Sequence, residues 1–373
     1  MKEVIMWTIS ENKEWSYLEK KFDWVQRMQD VPQDPLYHAE GNVAIHTQMV
    51  LKALIAESSF KQLTRQEQEM LWAAALLHDV EKFSTTVIEP DGRITSNGHA
   101  RKGAMIARQI LYRDEPAPFI IREQIAGLVR YHGLPIWVFE KPDPLKALIM
   151  TSMEVNTEWL ALLAKADMLG RECKDQEEML YKVDCFEAFC REQNCWGAPR
   201  NFVSDDARMY YMQHEDAYLD YVPFEQPAAE VILLSGLPGA GKNTFIKKNY
   251  ADMSVVSLDD IRNKRGIAPT DKTGNGQVIQ EAKEQARVFL RKGTGFIWNA
   301  TNTTRQMRMQ LIELFTSYKA KVSIVYIEVP YEHLHKQNKS RDEMVPDGVL
   351  ERLIDKLEVP VTWEAHKVTY NVE

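Results

Sequence analysis

Residues 236–244 (GLPGAGKNT) form a segment that could bind the phosphates of a nucleotide. In the pattern G-x-x-x-x-G-K, the glycines let main-chain N–H groups turn toward phosphate oxygens, and the lysine places a positive charge at the β and γ phosphates. The hydroxyl residue that usually follows and binds Mg²⁺ is replaced by Asn243. Because an amide oxygen is also a hard ligand for Mg²⁺, we expect a working site in which the metal is held differently. The predicted nucleotide-binding residues are Gly236, Pro238, Gly239, Ala240, Gly241, Lys242, Asn243 and Thr244.

A second set of residues, in the first half of the chain, combines imidazoles with carboxylates. His78 and Asp79 are adjacent in the helical pattern LLHDVEK, with His46 upstream and Asp167 far downstream. Such ligands together suit Mn²⁺, Ni²⁺, Co²⁺, Fe²⁺ or Zn²⁺. A single histidine on an apolar helix is more often a core or surface residue, so it is the ordered set that favours a metal site. Lys82, one helical turn after His78, could reach a substrate phosphate or simply be a surface lysine.

The elements that must carry these residues differ between the two halves of the chain. Upstream stretches such as AIHTQMVLKALIAES have apolar residues three and four apart, which is typical of helices. Downstream, strand-like runs (VVSL, GFIWNA, KVSIVYIEV) alternate with helical ones, which is typical of an α/β fold with a central parallel sheet. We predict an all-α domain over residues 1–222 and an α/β domain over residues 223–373. Residues 172–222 are predicted to be helices that close the first domain or bridge to the second, with Trp196 and the cysteines buried.

The bulk composition limits the classes of protein. A chain of 373 residues is too long for one ordinary core. The net charge is −8, with the acidic excess in the first domain, so bulk charge does not argue for tight binding of nucleic acid. We see no apolar run that could span a membrane and no signal-peptide core, and we expect a cytoplasmic protein with no membrane partner. The four cysteines lack paired C-x-x-C spacing, which favours reduced thiols over a zinc site.

The segment VVSLDDIRNKRG, in which a strand ends, resembles the 5′-OH polynucleotide kinases. That family has a D-x-x-R element after its second strand, and Asp259 and Arg262 match it by position. The resemblance implies that Asp259 accepts the proton of the attacking hydroxyl and that Arg262 contacts the acceptor's phosphate. A carboxylate at the end of a strand is chemically suited to that task. We expect Asp260 to cap the following helix.

Two further segments match the same kinases. Residues 331–353 (YEHLHKQNKSRDEMVPDGVLERL) resemble their lid, in which Arg341 matches an arginine that contacts and neutralises the transferring phosphate. Gln337 stands where another lid arginine is common, and Lys336 and Lys339 either compensate or are solvated helix charges. The segment NATNTTRQMR matches a strand-end region that would order the acceptor, with Arg305 and Arg308 as its candidates. The predicted cofactors of this domain are Mg²⁺ with ATP or GTP.

The pattern H…HD…D of the first domain resembles the HD phosphohydrolase superfamily. In that family, additional histidines in this order mark sites that hold a second metal, which implies a role for His99 and His132. The implied ligand set is His46, His78, Asp79, His99, His132 and Asp167. Two metals in such a site would activate water and clamp a phosphate.

The order of the two domains resembles the bacterial HD–polynucleotide kinase end-healing enzymes over nearly the whole chain. The resemblance implies NTP-dependent phosphorylation of a 5′-OH end and removal of a 2′,3′-cyclic or terminal 2′ or 3′ phosphate. The implied partners are RNA or DNA ends, an NTP donor and, functionally, a separate ligase. The alternatives are a nucleotide-metabolism enzyme, with an HD nucleotide phosphohydrolase fused to a small-molecule kinase, and a nucleotide-sensing regulator. A polynucleotide enzyme should prefer an oligonucleotide to a free nucleoside or sugar.

Overall fold

The structure, a computed structural model, describes residues 6–224, 227–268, 271–341 and 344–373, with the side chain of Lys272 left out. The chain divides into two compact units between Asn201 and Phe202. This division falls before the domain boundary that we predict after residue 222. The reason is a helix whose Met209 packs in the core of the second unit, so this segment belongs with the sheet. No described helix is long and apolar enough to cross a membrane.

The first unit is helical, as predicted, apart from one small hairpin. Its helices are α1 (Trp15–Lys21), α2 (Asp23–Arg27), α3 (Val43–Ala56), α4 (Ser58–Gln62), α5 (Arg65–Leu77), α6 (Lys82–Thr85), α7 (His99–Gln109), α8 (Phe119–Tyr131), α9 (Leu134–Trp137), α10 (Pro144–Ser152), α11 (Thr157–Leu169) and α12 (Gln176–Glu192). Short 3-10 turns lie at Met28–Asp30 and Val138–Glu140, and a π turn at Ile110–Asp114. Strands β1 (Val87–Ile88) and β2 (Ile94–Thr95) pair antiparallel around a turn that contains Asp91 and Gly92.

Two of the helices that carry predicted metal ligands, α3 and α5, begin at side-chain caps. Asn42 accepts a hydrogen bond from the N–H of Ile45 at the start of α3, and Thr64 and Glu67 form a capping box at the start of α5. Helix α11 ends at Gly170, where a Cβ would lie 2.7 Å from the main-chain nitrogen of Val50 in α3. Only glycine allows this close approach of α11 to α3, which fixes the two helices relative to each other.

The second unit is an α/β structure around a parallel sheet, as predicted. Its helices are α13 (Asp205–Gln213), α14 (Lys242–Asn249), α15 (Leu258–Arg265), α16 (Lys272–Arg291), α17 (Arg305–Thr316), α18 (Tyr331–Lys339) and α19 (Asp347–Asp355). Its strands are β3 (Ala229–Ser235), β4 (Val255–Ser257), β5 (Phe296–Asn299), β6 (Ala320–Glu328) and β7 (Lys367–Val372). They lie in the order β4-β5-β3-β6-β7, with every neighbouring pair parallel. The strand that feeds the glycine-rich loop, β3, is therefore the central one.

The cysteines and Trp196 are less uniformly buried than we predict from the sequence. All four cysteines are free thiols; Cys190 and Cys195 are buried, whereas Cys173 and Cys185 are half-buried. Trp196 is also half-buried and lies under the guanidinium of Arg191, 4.8 Å from the ring centre.

Candidate functional sites

The six predicted metal ligands come together inside the first unit. His46 lies in α3 and Asp167 in α11, while His99 is the first residue of α7. His78 and His132 are the C-terminal caps of α5 and α8. The side chains are buried, except that His99 is half-buried. Helices that are far apart in sequence thus deliver these side chains to one place.

The imidazole rings of this cluster share one hydrogen-bonding pattern. In three of them, Nδ1 donates to the main-chain carbonyl three residues earlier: His78 to Ala75 (2.7 Å), His99 to Ser96 (2.7 Å) and His132 to Val129 (2.9 Å). A carbonyl only accepts, so Nδ1 carries the proton and the Nε2 lone pair is left free. The Nε2 atoms of His46 and His78 lie 3.3 Å apart, and those of His99 and His132 lie 3.2 Å apart. Two Nε2 atoms this close, each with a free lone pair, can bind the same metal ion.

The carboxylate of Asp79 lies between the two pairs of histidines. Its Oδ2 is 3.2 Å from His78 Nε2 and 3.7 Å from His46 Nε2, whereas its Oδ1 is 3.4 Å from His99 Nε2. Both oxygens are buried and accept no hydrogen bond of regular geometry from a described residue. Asp79 is common to two possible metal-binding groups, one with His46 and His78 and one with His99 and His132. These residues therefore fit a divalent-metal site in which Asp79 is shared by two groups of histidines.

Asp79 and His132 are held in the forms that bind metal, whereas at His78 the effect of burial is outweighed by Asp79 and Asp167, which raise its pKa. Burial alone would raise the pKa of Asp79, but His78 and Lys82 hold it well below its usual range, so the carboxylate is ionised. Burial, together with the neighbouring His99 and His78, lowers the pKa of His132 to about 3, so this imidazole is neutral. Ionised carboxylates and neutral imidazoles are the forms that bind metal.

Two residues that the sequence analysis missed support the ligands. Glu40 lies 3.1 Å from His46 Nδ1, and Gly170 O is another acceptor at 3.1 Å, so His46 also presents its Nε2 to the cluster. Arg171 donates to both oxygens of Asp167 at 3.1 and 2.7 Å. Arg171 is four residues after Asp167 on a helical pattern, and that spacing was a usable signal. Glu40 comes from a loop, for which periodicity gives none.

Lys82 lies beside the cluster and is buried, so it is not a surface lysine, and its contact with a substrate stays a prediction. Its Nζ is 2.8 Å from Asp79 Oδ2 and donates to Gln33 Oε1 at 2.7 Å. Lys82, Gln33, His99, His132 and Arg171 line a cavity of about 950 Å³. The cluster therefore opens onto a space large enough for a nucleotide end, with cations on its wall.

The glycine-rich loop of the second unit has the backbone of a phosphate-binding loop. Gly236, Gly239 and Gly241 have positive φ angles of 154°, 85° and 95°, and Gly241 precedes the first residue of α14, Lys242. Lys242 Nζ donates to the carbonyls of Gly236 (2.9 Å) and Leu237 (2.8 Å), inside the loop. The lysine is thus held where a nucleotide's phosphates would enter.

Asn243 has a partner that the sequence analysis did not foresee. Asn299 Nδ2, at the end of β5, donates to Asn243 Oδ1 at 2.8 Å. The amide oxygen that we expect to face Mg²⁺ therefore also ties α14 to the neighbouring strand. The other lone pair of that oxygen is available to a metal or to its water.

Asp259 and Arg262 lie together in the first turns of α15, after β4. Arg262 Nη1 pairs with Asp259 Oδ1, and its Nε donates to Asn275 Oδ1 at 2.9 Å. The prediction that Asp260 caps this helix is wrong. Ser257 is the cap, and its hydroxyl oxygen accepts a hydrogen bond from the N–H of Asp260 at 3.2 Å. The sequence S-x-x-D was the signal for this cap.

Helix α18 packs the predicted lid against the glycine-rich loop. A Cβ on Gly239 would lie 3.3 Å from the main-chain nitrogen of Asn338 in α18, so the two segments approach closely. Asn338 is buried, and its amide bonds both the carbonyl (2.7 Å) and the N–H (3.1 Å) of Val345. These two hydrogen bonds join Asn338 to Val345, on either side of Arg341 in the predicted lid. Gln337, Lys336 and Lys339 lie on the same helix.

The charge on Lys242 should set the pH dependence of nucleotide binding. Burial, with a smaller contribution from Arg341, lowers the pKa of Lys242 to about 8 against the opposing effect of Asp259. The ammonium form attracts phosphate, so we expect affinity for ATP to be constant below pH 8 and to fall about tenfold per pH unit well above it. Calorimetric titration with ATP between pH 6.5 and 9.5 measures this. The variant Lys247→Met, at an exposed position of α14, should keep the same inflection. An affinity that stays flat to pH 9.5 would contradict the lowered pKa.

The interpretation of Arg308 as an acceptor-side residue is wrong. Its guanidinium is fully buried and bonds both oxygens of Glu364 at 2.6 and 2.9 Å, with further bonds to the carbonyls of Asn302 and Glu358. Arg305 also pairs with Glu364, at 3.2 Å, and lies over the ring of Trp363. These arginines join α17 to the chain before β7.

Arg308→Met should therefore act on stability. Removing Arg308 leaves the buried Glu364 with only the longer contact to the Arg305 guanidinium, and we expect the free energy of unfolding of the second unit to fall by about 3 kcal/mol. Denaturant unfolding, monitored through the transition of the second unit, measures this free energy. Arg352→Met, at an exposed position of α19, is the control and should change it by less than about 0.5 kcal/mol. A stable Arg308→Met protein with a raised KM for the acceptor would restore the original interpretation.

Comparisons with known proteins agree with this division of chemistry. Residues 43–167 match the HD domain family, and residues 231–360 match an AAA domain family. The L-seryl-tRNA(Sec) kinase of Methanococcus maripaludis is 25% identical over 158 residues, which cover 37% of this chain and 58% of that protein. Protein kti12 of Schizosaccharomyces pombe is 28% identical over 145 residues, which cover 35% of this chain and 52% of that protein. The chain thus spans a little over half the length of these curated relatives.

Solved structures show only remote similarity. The Pnkp1/Rnl/Hen1 RNA repair complex gives a TM-score of 0.33 at 20% identity, over 36% of this chain and 45% of that chain. A gluconokinase from Sinorhizobium meliloti gives 0.29 at 14% identity, over 39% of this chain and 83% of that chain. Scores this low carry no argument about function.

The chain is therefore a fusion of an N-terminal HD domain with a C-terminal P-loop kinase-like domain. A nucleotide with Mg²⁺ in the second domain and a divalent metal in the first are the cofactors that these domains imply. The architecture is consistent with the bacterial HD–polynucleotide kinases, as the sequence analysis predicts.

Proposed function

We propose that this protein heals broken nucleic-acid ends. The kinase unit adds a phosphate to a 5′-OH, and the HD unit removes a 2′,3′-cyclic phosphate or a terminal 2′ or 3′ phosphate. The observation that carries the proposal is the presence, in one chain, of the six-ligand cluster at a large cavity and of Asp259 and Arg262 beside a P-loop lysine. The products would be the 3′-OH and 5′-phosphate that a separate ligase joins.

In the kinase unit, Asp259 accepts the proton of the 5′-hydroxyl as its oxygen attacks the γ-phosphorus. The bond from that phosphorus to the β–γ bridging oxygen breaks, and the nucleoside diphosphate leaves. Lys242 and Arg341 stabilise the negative charge on the transferring group. Arg262, oriented by Asn275, holds the acceptor's own phosphate. Mg²⁺ bound with the nucleotide supplies further neutralisation of the β and γ oxygens.

In the HD unit, the ligands would be His46, His78, Asp79, His99, His132 and Asp167. Divalent metals held by them supply activation of water and polarisation of a phosphoryl group. Lys82 places a positive charge next to the reacting phosphate, and Gln33 and Asp79 hold that ammonium in place. Arg171 balances the buried charge of Asp167. The roles of Lys82 and of all six ligands are part of the proposal.

One relative supports an acceptor that is carried on a nucleic acid. The name of the L-seryl-tRNA(Sec) kinase places its substrate on a tRNA. The competing function is nucleotide metabolism, with hydrolysis of free nucleotides and phosphorylation of a small alcohol. The two functions differ in substrate length, which the following experiment uses.

The test uses one RNA oligonucleotide with a 5′-OH and a 2′,3′-cyclic phosphate, incubated with ATP or GTP, Mg²⁺ and Mn²⁺. We expect the wild type to add a 5′-phosphate and to open and remove the cyclic phosphate. Asp259→Ala should lose only the first activity, and His78→Ala/Asp79→Ala only the second. A DNA oligonucleotide with a 5′-OH and a 3′-phosphate compares the sugars. Unchanged RNA and DNA ends, together with turnover of a free nucleotide or sugar, would replace end healing by the metabolic function.

A further inference from the structure

We propose that Gln33 is a phosphate-binding residue of the HD site, whose side-chain N–H donates to a phosphoryl oxygen of the substrate. The proposal rests on the phosphohydrolase function proposed above and adds a residue to it. Gln33 belongs to the loop of residues 32–42, which lies outside the residues that match the HD domain family. A contact from this loop would therefore be a property of this chain and not of the shared motif.

The loop is held in place at both ends and in the middle. Pro32 and Asn42 form an antiparallel bridge, and the N–H of Gln33 donates to the carbonyl of Gly41 at 3.2 Å. The N–H of Ala39 donates to the carbonyl of Glu172 at 2.9 Å, and Asp34 Oδ2 accepts from the N–H of Ile94 at 3.0 Å. A side chain on such a loop is positioned before the substrate arrives, which is what a binding residue needs.

The orientation of the Gln33 amide follows from its neighbour. Lys82 Nζ lies 2.7 Å from the amide, and an ammonium group has only donors, so the atom that faces it must be the oxygen. The amide nitrogen then points away from Lys82. That nitrogen is buried and has no hydrogen-bond partner among the described residues. Gln33 itself is only 7% exposed, and a buried donor without an acceptor is costly, so it calls for a missing partner.

The surroundings indicate the chemistry of that partner. Gln33 lines the same cavity as Lys82, His99 and His132, next to the proposed metal ligands. A ligand at this place meets the ammonium of Lys82 and the N–H of Gln33, so it must offer hydrogen-bond acceptors. An ionised phosphoryl group offers only acceptors. Lys82 and Gln33 would then hold it together, the lysine by charge and the amide by a directional bond.

The decisive variant is Gln33→Glu, which has the same shape. It keeps an oxygen for Lys82 but replaces the N–H donor by an acceptor that repels phosphate. The measurement is calorimetric titration of the Mn²⁺-loaded full chain with inorganic phosphate, with metal content determined on the same samples. All proteins carry Lys242→Ala, so that the P-loop does not contribute. We expect affinity for phosphate to fall about 10- to 100-fold at unchanged metal content. Gln62→Glu, at an exposed position in α4, makes the same charge change and should bind as the parent does.

Two further variants separate binding from support of Lys82. Gln33→Met removes both ends of the amide. If Gln33→Met weakens binding but Gln33→Glu stays within threefold of the parent, Gln33 only positions Lys82 and the proposal fails. If neither weakens binding, it also fails. If Gln33→Glu alters the metal content, the double variant Gln33→Met/Lys82→Met is compared with Lys82→Met. A weaker affinity for phosphate in the double variant supports a direct contact from Gln33. Equal affinities in the two proteins overturn it. If the Lys242→Ala parent binds phosphate but the wild-type chain leaves RNA ends intact, end healing is refuted and the role of Gln33 stands.

Discussion

Asp79→Asn is expected to remove metal from the HD unit and to lower its phosphoesterase activity by at least about 10³-fold. Each Asp79 oxygen faces one pair of histidines, so the amide that replaces it can serve one pair with its oxygen but offers only N–H donors to the other. The substitution keeps the shape of the side chain while it removes a bridging ligand and a buried charge. We expect the metal content after dialysis to fall to half of the wild-type value or less, as measured by mass spectrometry of the metal.

The kinase unit provides an internal control for this variant. Its activity should stay within about twofold of wild type, because its site residues belong to a separate compact unit. Asp91→Asn, an exposed aspartate of the β1–β2 turn, makes the same chemical change and should leave metal content and both activities unaltered. Full metal content and full phosphoesterase activity in Asp79→Asn would refute the bridging role.

Asp259→Asn is expected to lower the kinase kcat by about 10²- to 10⁴-fold, the range for loss of a general base. The amide keeps a partner for Arg262 but takes up no proton from the hydroxyl. Affinity for ATP should change much less, because Lys242 and the glycine-rich loop hold the phosphates. Steady-state kinetics on a 5′-OH oligonucleotide, combined with calorimetric titration of ATP, separates the two effects.

Asp260 offers a matched control in the same helical turn. Asp260→Asn should leave kcat within about threefold of wild type, because the Asp260 side chain is exposed and Ser257 caps the helix. A kcat equally low in both variants would place the effect in the helix and not in one carboxylate. An unchanged kcat in Asp259→Asn would move the base elsewhere.

The sequence predicted the parts of the two sites that periodicity and spacing encode. The spacing of the glycines and Lys242 in GLPGAGKNT indicated a phosphate-binding loop, and these residues lie directly after strand β3 with the backbone that such a loop requires. His78 and Asp79 follow a run of buried residues in α5, so a helical pattern sufficed to place them together. Parallel pairing followed from the alternation of strands and helices, since parallel strands need a crossover between them.

Tertiary contacts decided what the sequence did not reveal. Glu40 and Gln33 reach the cluster from a loop whose path is set by the bridge between Pro32 and Asn42, and no local pattern reports such a path. Arg308 lies in the segment that resembles the acceptor-side region of the kinases, but it pairs in the core with Glu364, 56 residues later. The hairpin β1–β2 is too short to show alternation of polar and apolar residues.

The carbonyl partners of the histidines bear on how this site tolerates sequence drift. For His78, His99 and His132, the acceptor is the peptide oxygen three positions earlier, and every amino acid has that oxygen. Side-chain replacements at positions 75, 96 and 129 leave the tautomer intact as long as the backbone keeps its path. His46 is different, because it draws on the carboxylate of Glu40 as well as on Gly170. In a divergent descendant, three of the imidazoles would keep their lone pairs aimed inward by inheritance of the backbone alone. For His46, a change at position 40 would remove one of two acceptors and leave the carbonyl of Gly170 to hold the ring.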